Sequence, residues 1–378
     1  MLRTLHIETG RHLYGGAYQA AHLVKGLVAR GHRATLLCAE GSGIQREVEG
    51  SAPVRAVPFR RELDVSFIWR AVRIIREEDP DVVHLHSRRG SDIMGSIAAR
   101  LCRVPVVVIS RRVDDPIRQN LWNRIRFQSL CDRVVAISEG IRLVVLEAGI
   151  PEDRVRLVHS AVNTSEYRLP RERGWFASEF AVAEGECALG VVAQLIERKG
   201  HAFLLRAMPE ILRRFPRCKL LFFGKGPAEA YLRKLVESLG LTGVVTFVGF
   251  RDDLPRILPN LDLVVHPALN EGLGVSLLQV AACGVPIVAA AVGGIPEIII
   301  DGQTGWLIPP SDSQAIEEAV CEALGTPDLR DRIVRAALEH VEANFGLSQM
   351  VEGNLRVYFD TLLAKGYGDR ITRNIPNS

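Results

Sequence analysis

The sequence predicts two consecutive α/β units, each a parallel sheet wrapped by helices. Three observations carry that prediction. At 378 residues the chain has enough sequence for about two domains with separate cores. Short apolar runs of strand length alternate with stretches of helical periodicity, which is the pattern of a parallel sheet with crossover helices. The alternation breaks once, in a polar stretch within residues 161–186 that holds Pro170, Arg171, Glu172, Arg173 and Gly174, and then resumes. The expected division is an N-terminal Rossmann-like unit over 1–165, a linker over 166–186, a second Rossmann-like unit over 187–345 and a C-terminal helical segment over 346–378.

Taken in order, residues 5–7 read as the first strand. A loop with Gly15 and Gly16 follows, then a helix with Leu23, Leu27 and Val28 on its apolar face and Gly31 at its end. Strands follow at 34–38, 82–85, 106–109, 134–137 and 155–158, with helices near 67–77, near 93–101 and from Gly140. In the second half, strands are expected at 188–192, 219–223, 244–248, 261–266, 287–290 and 306–308. Helices are expected at 201–214, near 228–239, across 275–283, from Ile295 and on to the end.

Composition narrows the function. With 47% hydrophobic and 24% charged residues and a formal net charge of only +3, the chain reads as a globular protein and not as a nucleic-acid binder. Its seven cysteines include no C-x-x-C pair and no zinc-like His/Cys spacing, which suits reduced thiols in a cytoplasm and indicates no metal site. No targeting segment or apolar run of membrane-spanning length is expected.

The chemistry concentrates in residues 261–287. There a strand leads through Asn270, Glu271, Gly272, Leu273 and Gly274 into a helix from Val275, closed by Gly284-Val285-Pro286. Glycines at a helix start let backbone amides and the positive end of the helix dipole approach an anion, and phosphate is the natural guest. Gln279 stands eight residues after Glu271; Ser276-x-x-Gln279 also reads as a capping box that needs no ligand. In the first half, Gly15-Gly16 precedes a helix, where it serves either a phosphate or a plain tight turn. His84-x-His86 ends a strand at the sheet edge where ligands of open α/β folds collect. Arg111 and Arg112 follow the next strand and suit an anionic group, or else pair with Asp114 and Asp115.

The Glu271 to Gln279 stretch resembles the signature of retaining glycosyltransferases of the GT-B fold, family four, in which a Glu, seven residues and a second Glu flank a Gly-rich helix start. Gln279 stands where the family has the second Glu. The likeness extends over nearly the whole chain: the Gly15-Gly16 loop, Asp81-Val-Val-His-Leu-His86, Ala136-Ile-Ser-Glu139, Val158-His-Ser-Ala-Val-Asn163, and Gln194 to Gly200 against the family's Gly-Arg-Leu…Glu-Lys-Gly loop. Gln194 replaces the usual Arg, and Arg111 or Arg112 stands where many members carry a His near the transferred sugar.

The resemblance implies two Rossmann-like domains facing across a cleft, with the last helices crossing back to the first domain. It further implies transfer of a sugar from a nucleotide-diphosphate donor, as co-substrate, to a lipid-linked or saccharide acceptor, with retention, without metal and with no cofactor. Lipopolysaccharide or other envelope glycan synthesis is the expected setting. By resemblance Lys199, Glu271, His86, Arg111 and Arg112 serve catalysis, while Gly15, Gly16, Gln194, Gly224, Val248, Gly272, Leu273, Gly274, Val275 and Gln279 hold the donor. Lys199 and Glu271 are not expected in the core. A nucleotide-sugar epimerase and a non-catalytic sugar-nucleotide-binding protein remain as alternatives; a dinucleotide oxidoreductase is disfavoured because no G-x-G-x-x-G follows either first strand.

One further segment bears on location. Arg60, Arg61, Arg70, Arg73 and Arg76 are interleaved with Leu63, Val65, Phe67, Ile68, Trp69, Val72, Ile74 and Ile75. That pattern suits either a face lying on the anionic inner surface of the cell membrane or a packed helix with a solvated Arg side.

Overall fold

The computed structural model describes residues 1–59, 64–86 and 91–372. Chain contacts divide it into a first unit, Met1–Ala161 with Leu347–Ser378, and a second, Val162–Gly346.

Among the described residues, the first unit has seven strands, all parallel: β1 (Arg3–Glu8), β2 (Arg33–Ala39), β3 (Val54–Val57), β4 (Val82–Leu85), β5 (Val106–Arg111), β6 (Arg133–Ala136) and β7 (Val155–Leu157), in the order β3-β2-β1-β4-β5-β6-β7. Strand order reverses between β1 and β4, which opens a crevice at their carboxyl ends. The run 34–38 is buried throughout and mostly apolar because both sheet faces are covered. β3 was not expected from the sequence; its burial is partial, so its edge position leaves only a weak apolar signal.

The helix Leu347–Ala364 belongs to this unit. Val351 packs where a Cβ on Gly26 would stand 2.5 Å from its Cγ2, and the buried Tyr358 hydroxyl meets His84 Nδ1 at 2.5 Å. Beyond the helix, Lys365 Nζ bonds Pro105 O at 2.7 Å and Asp132 at 2.9 Å. The helix Ser66–Glu78 buries Phe67, Ala71, Val72, Ile74 and Ile75, so its apolar face is spent on the core. Val65 and Trp69 remain exposed, and Arg70 and Arg73 pair with Asp64 and Glu77. Arg60, Arg61 and Leu63 lie outside the described residues.

The second unit carries six described strands, β8 (Cys187–Val192), β9 (Cys218–Phe223), β10 (Val245–Gly249), β11 (Leu263–His266), β12 (Ile287–Ala290) and β13 (Trp306–Ile308), all parallel, in the order β10-β9-β8-β11-β12-β13. Here the order reverses between β8 and β11. The stretch expected as a linker is folded into this unit as the helices Thr164–Tyr167 and Arg173–Phe180. Its polar residues hold it there: Arg171 Nε donates to Pro259 O at 2.6 Å and Arg173 Nη1 to Asn260 O at 2.5 Å. The core lies between the sheet and helices such as His201–Arg214 and Ser313–Gly325, with Leu204, Leu205, Met208, Phe222 and Val320 fully enclosed. No described helix is long and apolar enough to cross a membrane.

Tyr358→Phe leaves one nitrogen of the buried His84 without its partner, at a cost of about 1–3 kcal/mol. The melting transition of the first unit should fall by several degrees. An unchanged transition in calorimetry would contradict the docking described for the C-terminal helix.

Candidate functional site

In the second unit the carboxyl ends of β8 and β11 deliver the two key side chains. The turn Glu197–Lys199 follows β8, and Gly200 then adopts φ 68° as the N-cap of His201–Arg214. A Cβ on Gly200 would stand 1.8 Å from Pro267 O, so only glycine allows this turn to lie against the loop after β11. Lys199 is thereby buried and its Nζ reaches Glu271 Oε2 at 2.5 Å. His266, the last residue of β11, meets the same oxygen through Nε2 at 2.9 Å, and the Gly272 amide donates to Oε1 at 3.1 Å. Gly293, at φ 55°, closes the pocket from the β12 side: its Cβ would stand 1.7 Å from Glu271 O.

The electrostatics follow from this packing. Burial pushes the Glu271 carboxyl upward, but the hydrogen bond from His266 and the charge of Lys199 outweigh it and hold the group well below the usual carboxylate range. Burial pulls His266 below its ordinary value despite Glu271, so the imidazole is neutral and donates Nε2–H. The result is a half-buried carboxylate kept ionised at neutral pH. Lys199 is therefore buried, contrary to the sequence expectation, because a long Lys stem packs between two loops with its head paired, while Glu271 is half-buried.

The helix Val275–Ala282 starts beside this group. Gly274, at φ 97°, is its N-cap, with no side-chain cap and no acid in the first turn. Among the described residues the amides of Leu273, Gly274, Val275 and Ser276 take no acceptor. Ser276 lies inside the helix, not at its N-cap, so the capping-box reading is overturned. The Gln279 amide, half-buried, makes no hydrogen bond among the described residues. The arrangement offers unblocked amides, a helix N-terminus, an ammonium and a fixed carboxylate at one sheet edge: anion-binding groups beside an acceptor for hydroxyls.

Other expected donor residues sit in the same unit with plainer roles. Gln194 is exposed in the turn after β8. Gly224 packs against that turn, where a Cβ would stand 2.0 Å from Ala193 O. Val248 is half-buried in β10.

In the first unit, His86 follows β4 and Arg112 follows β5. Arg112 Nη2 donates to His86 Nδ1 at 3.4 Å and Nη1 to Ser160 at 3.3 Å. His86 must then carry its proton on Nε2, which meets His6 Nδ1 at 3.0 Å, and His6 Nε2 meets Thr4 Oγ1 at 3.0 Å. His84 bonds Tyr358 and Ser110. His6, His84 and His86 gather ligand atoms within 4.8 Å, a grouping that can hold a metal ion. Every ring nitrogen already has a protein partner, however, and burial lowers all three, His6 to about 3. The cluster reads as a neutral hydrogen-bonded chain. Arg111 is buried and donates to Asp115 O. Gly15 and Gly16 open the helix Gly15–Ala29.

Sequence reasoning missed Glu8, His266 and His201. Glu8 and His266 each end an apolar strand at the ligand edge, the signal that did identify His86. His201 is buried against Phe222, with ring centroids 5.0 Å apart and neither nitrogen partnered; a His opening an amphipathic helix carries no such signal.

Comparison with known proteins bears on both units. Residues 14–166 match the family model "Glycosyltransferase Family 4" and residues 177–340 match "Glycosyl transferases group 1". The chain is 26% identical to the lipopolysaccharide core biosynthesis glycosyltransferase LpsE of Rhizobium meliloti, over 94% of this chain and 98% of that one. It is 26% identical to the N-acetyl-alpha-D-glucosaminyl L-malate synthase of Bacillus anthracis, over 79% and 80%. Among solved structures, Anabaena Alr3699/HepE in complex with UDP-glucose superposes with a TM-score of 0.82 at 19% identity, covering 96% of this chain and all of that one.

Gly293→Ala should destabilise the second unit by well over 1 kcal/mol, because it adds a Cβ at positive φ against the Glu271 carbonyl. Gly302→Ala, at φ 67° with nothing within 4 Å, isolates the backbone strain and should cost clearly less. Equal losses in denaturant melts would remove the close approach from the account.

Proposed function

Because the chain belongs to the GT-B glycosyltransferases of group 1 and family four, we propose that it moves a sugar from a nucleotide-diphosphate donor to a saccharide acceptor, lipid-linked or free, in the synthesis of an envelope glycan. The observation that carries this reading is the ionised Glu271, fixed by Lys199 and His266 beside an uncapped helix start at the switch point of the second sheet. LpsE, related over nearly its full length, supports the glycan setting, and the UDP-glucose complex of HepE makes UDP the first nucleotide to test.

In this reading the diphosphate lies on the amides of Leu273 to Ser276. Lys199 adds positive charge to it: the ammonium has three donors and Glu271 occupies one. As the glycosidic bond to phosphate lengthens, negative charge grows on the diphosphate, and donors already in position stabilise it without reorganising. Glu271 accepts hydroxyls of the sugar and holds its ring over the departing oxygen. Gln279 is the ribose contact, with its amide free to donate and accept. Among the described residues the one carboxylate in this cluster is ionised and paired, so in this reading the leaving phosphate takes the acceptor's proton on the face it vacates, and configuration is retained. An epimerase would need a second acid–base group here.

Lys199→Met and Glu271→Gln should each lower turnover by about a hundredfold, the usual loss when one preorganised charge contact is removed, about 3 kcal/mol in the barrier. The assay is transfer from a UDP-sugar panel to envelope saccharides, with the product's anomeric coupling read by NMR. Full turnover in both variants, or an inverted product, contradicts the reading.

A further inference from the structure

The first unit exposes apolar surface that its own core does not use. After β5 and its loop, the chain forms the short helix Leu121–Arg124, continued by the wider turn Ile125–Ser129. Phe127 is enclosed and ties this run to the unit, and the neighbouring Arg126 is paired with Asp92. Asn120 caps the start by accepting the Asn123 amide at 2.9 Å. The backbone is therefore held in place. Leu121 and Trp122 nevertheless stand side by side with 71% and 75% of their surface in water, the largest fractions among the large apolar residues described. Leaving a leucine and a tryptophan so exposed forgoes burial that a partner surface would supply.

Charge identifies the partner. Residues 116–131 contain Arg118, Arg124 and Arg126 and no acidic side chain. Arg126 is used by Asp92, whereas Arg118 and Arg124 are exposed and form no ion pair among the described residues. Both line a cavity of about 490 Å³ together with Gln119, Asn120, Asn123 and Gln128. Arg124 commits its Nε to Gln128 Oε1 at 3.3 Å, which leaves its other donors to the open space. Guanidinium groups without a counter-charge suit phosphate, and an indole suits the boundary between water and hydrocarbon. The combination is that of an element lying at a lipid surface, where apolar side chains enter the acyl edge and cations meet the headgroups. The helix Ser66–Glu78, whose sequence also suits a lipid face, differs: its Arg70 and Arg73 are paired with Asp64 and Glu77.

We propose that segment 117–128 docks the first unit on an anionic lipid surface, with Leu121 and Trp122 entering the headgroup boundary and Arg118 and Arg124 receiving lipid phosphates at the cavity. The docking belongs to one unit and does not depend on the transferase reading. Two apolar side chains and two exposed charges make it reversible and sensitive to salt, not an anchor.

The test is co-sedimentation of the full chain with vesicles of phosphatidylcholine, with and without phosphatidylglycerol, at low and high salt. The wild type should pellet with the anionic vesicles at low salt, stay in solution with the neutral ones, and be released by salt. Leu121→Ser with Trp122→Ser, and separately Arg118→Gln with Arg124→Gln, should each weaken binding by about tenfold or more. Both should melt as the wild type does, since all four side chains are exposed. Val65→Ser with Trp69→Ser, on the other candidate element, should bind unchanged. Indifference of the wild type to anionic vesicles overturns the proposal, as does binding that survives both changes in segment 117–128 or is lost in the Val65 and Trp69 variant instead. Inorganic phosphate at the concentration of lipid phosphate should not displace the protein; displacement assigns the cavity to a free anion and overturns the docking. A dimer in sedimentation velocity that Leu121→Ser with Trp122→Ser dissolves, without vesicle binding, assigns the patch to a second copy and does the same. The melting shift with UDP should be equal in every variant, so a failure of the transferase reading registers separately.

Discussion

A half-buried carboxylate that stays ionised organises the second unit. Taking much of the Glu271 side chain out of water is costly, and close partners offset that cost. Lys199 at 2.5 Å and His266 at 2.9 Å supply them, and each comes from a different segment at the sheet edge. Their convergence requires two loops to lie almost in contact, which is why Gly200 and Gly293 have backbone oxygens where a Cβ would be. The pair thus couples packing to charge. Removing Lys199 takes away half of a largely covered ion pair, so its variants should be less stable, a consequence that an exposed lysine would not have.

Both units put chemistry at the point where strand order reverses, but they use it differently. The second unit brings an ammonium and a carboxylate 72 residues apart in sequence to one sheet edge, beside free amides. The first presents a neutral histidine chain ending on Arg112, beside a longer helix whose start is also uncapped.

Much of this was legible in the sequence, for identifiable reasons. Buried parallel strands read as apolar runs, so all but the edge strand β3 could be located, and Gly272 and Gly274 marked the turn that opens the helix Val275–Ala282. The limits were equally physical. Ser276 and Gln279 have capping-box spacing, yet the box depends on which residue becomes N-cap, and Gly274 takes that place through its positive φ. The polar stretch 166–186 reads as a linker because the strand–helix alternation breaks there; its arginines reach carbonyls near residue 260, a pairing no local pattern reveals. The Ser66–Glu78 helix has an amphipathic pattern equally suited to lipid or core, and only tertiary packing shows that the core receives its apolar face. His266 and Glu8 close apolar strands at the same kind of carboxyl edge as His86, so their positions are legible from the strand pattern.

The central claim is that Lys199 and the uncapped start of Val275–Ala282 hold a nucleoside diphosphate. The most direct measurement is the melting temperature of the second unit with UDP, GDP and ADP, in the wild type and in Lys199→Met. Binding to the folded state alone stabilises by about 2.7 kcal/mol at a hundredfold excess over the dissociation constant. The account predicts a clear upward shift with at least one diphosphate, much reduced for the corresponding monophosphate and for the variant. No shift with any of the three, or an equal shift in Lys199→Met, would contradict it.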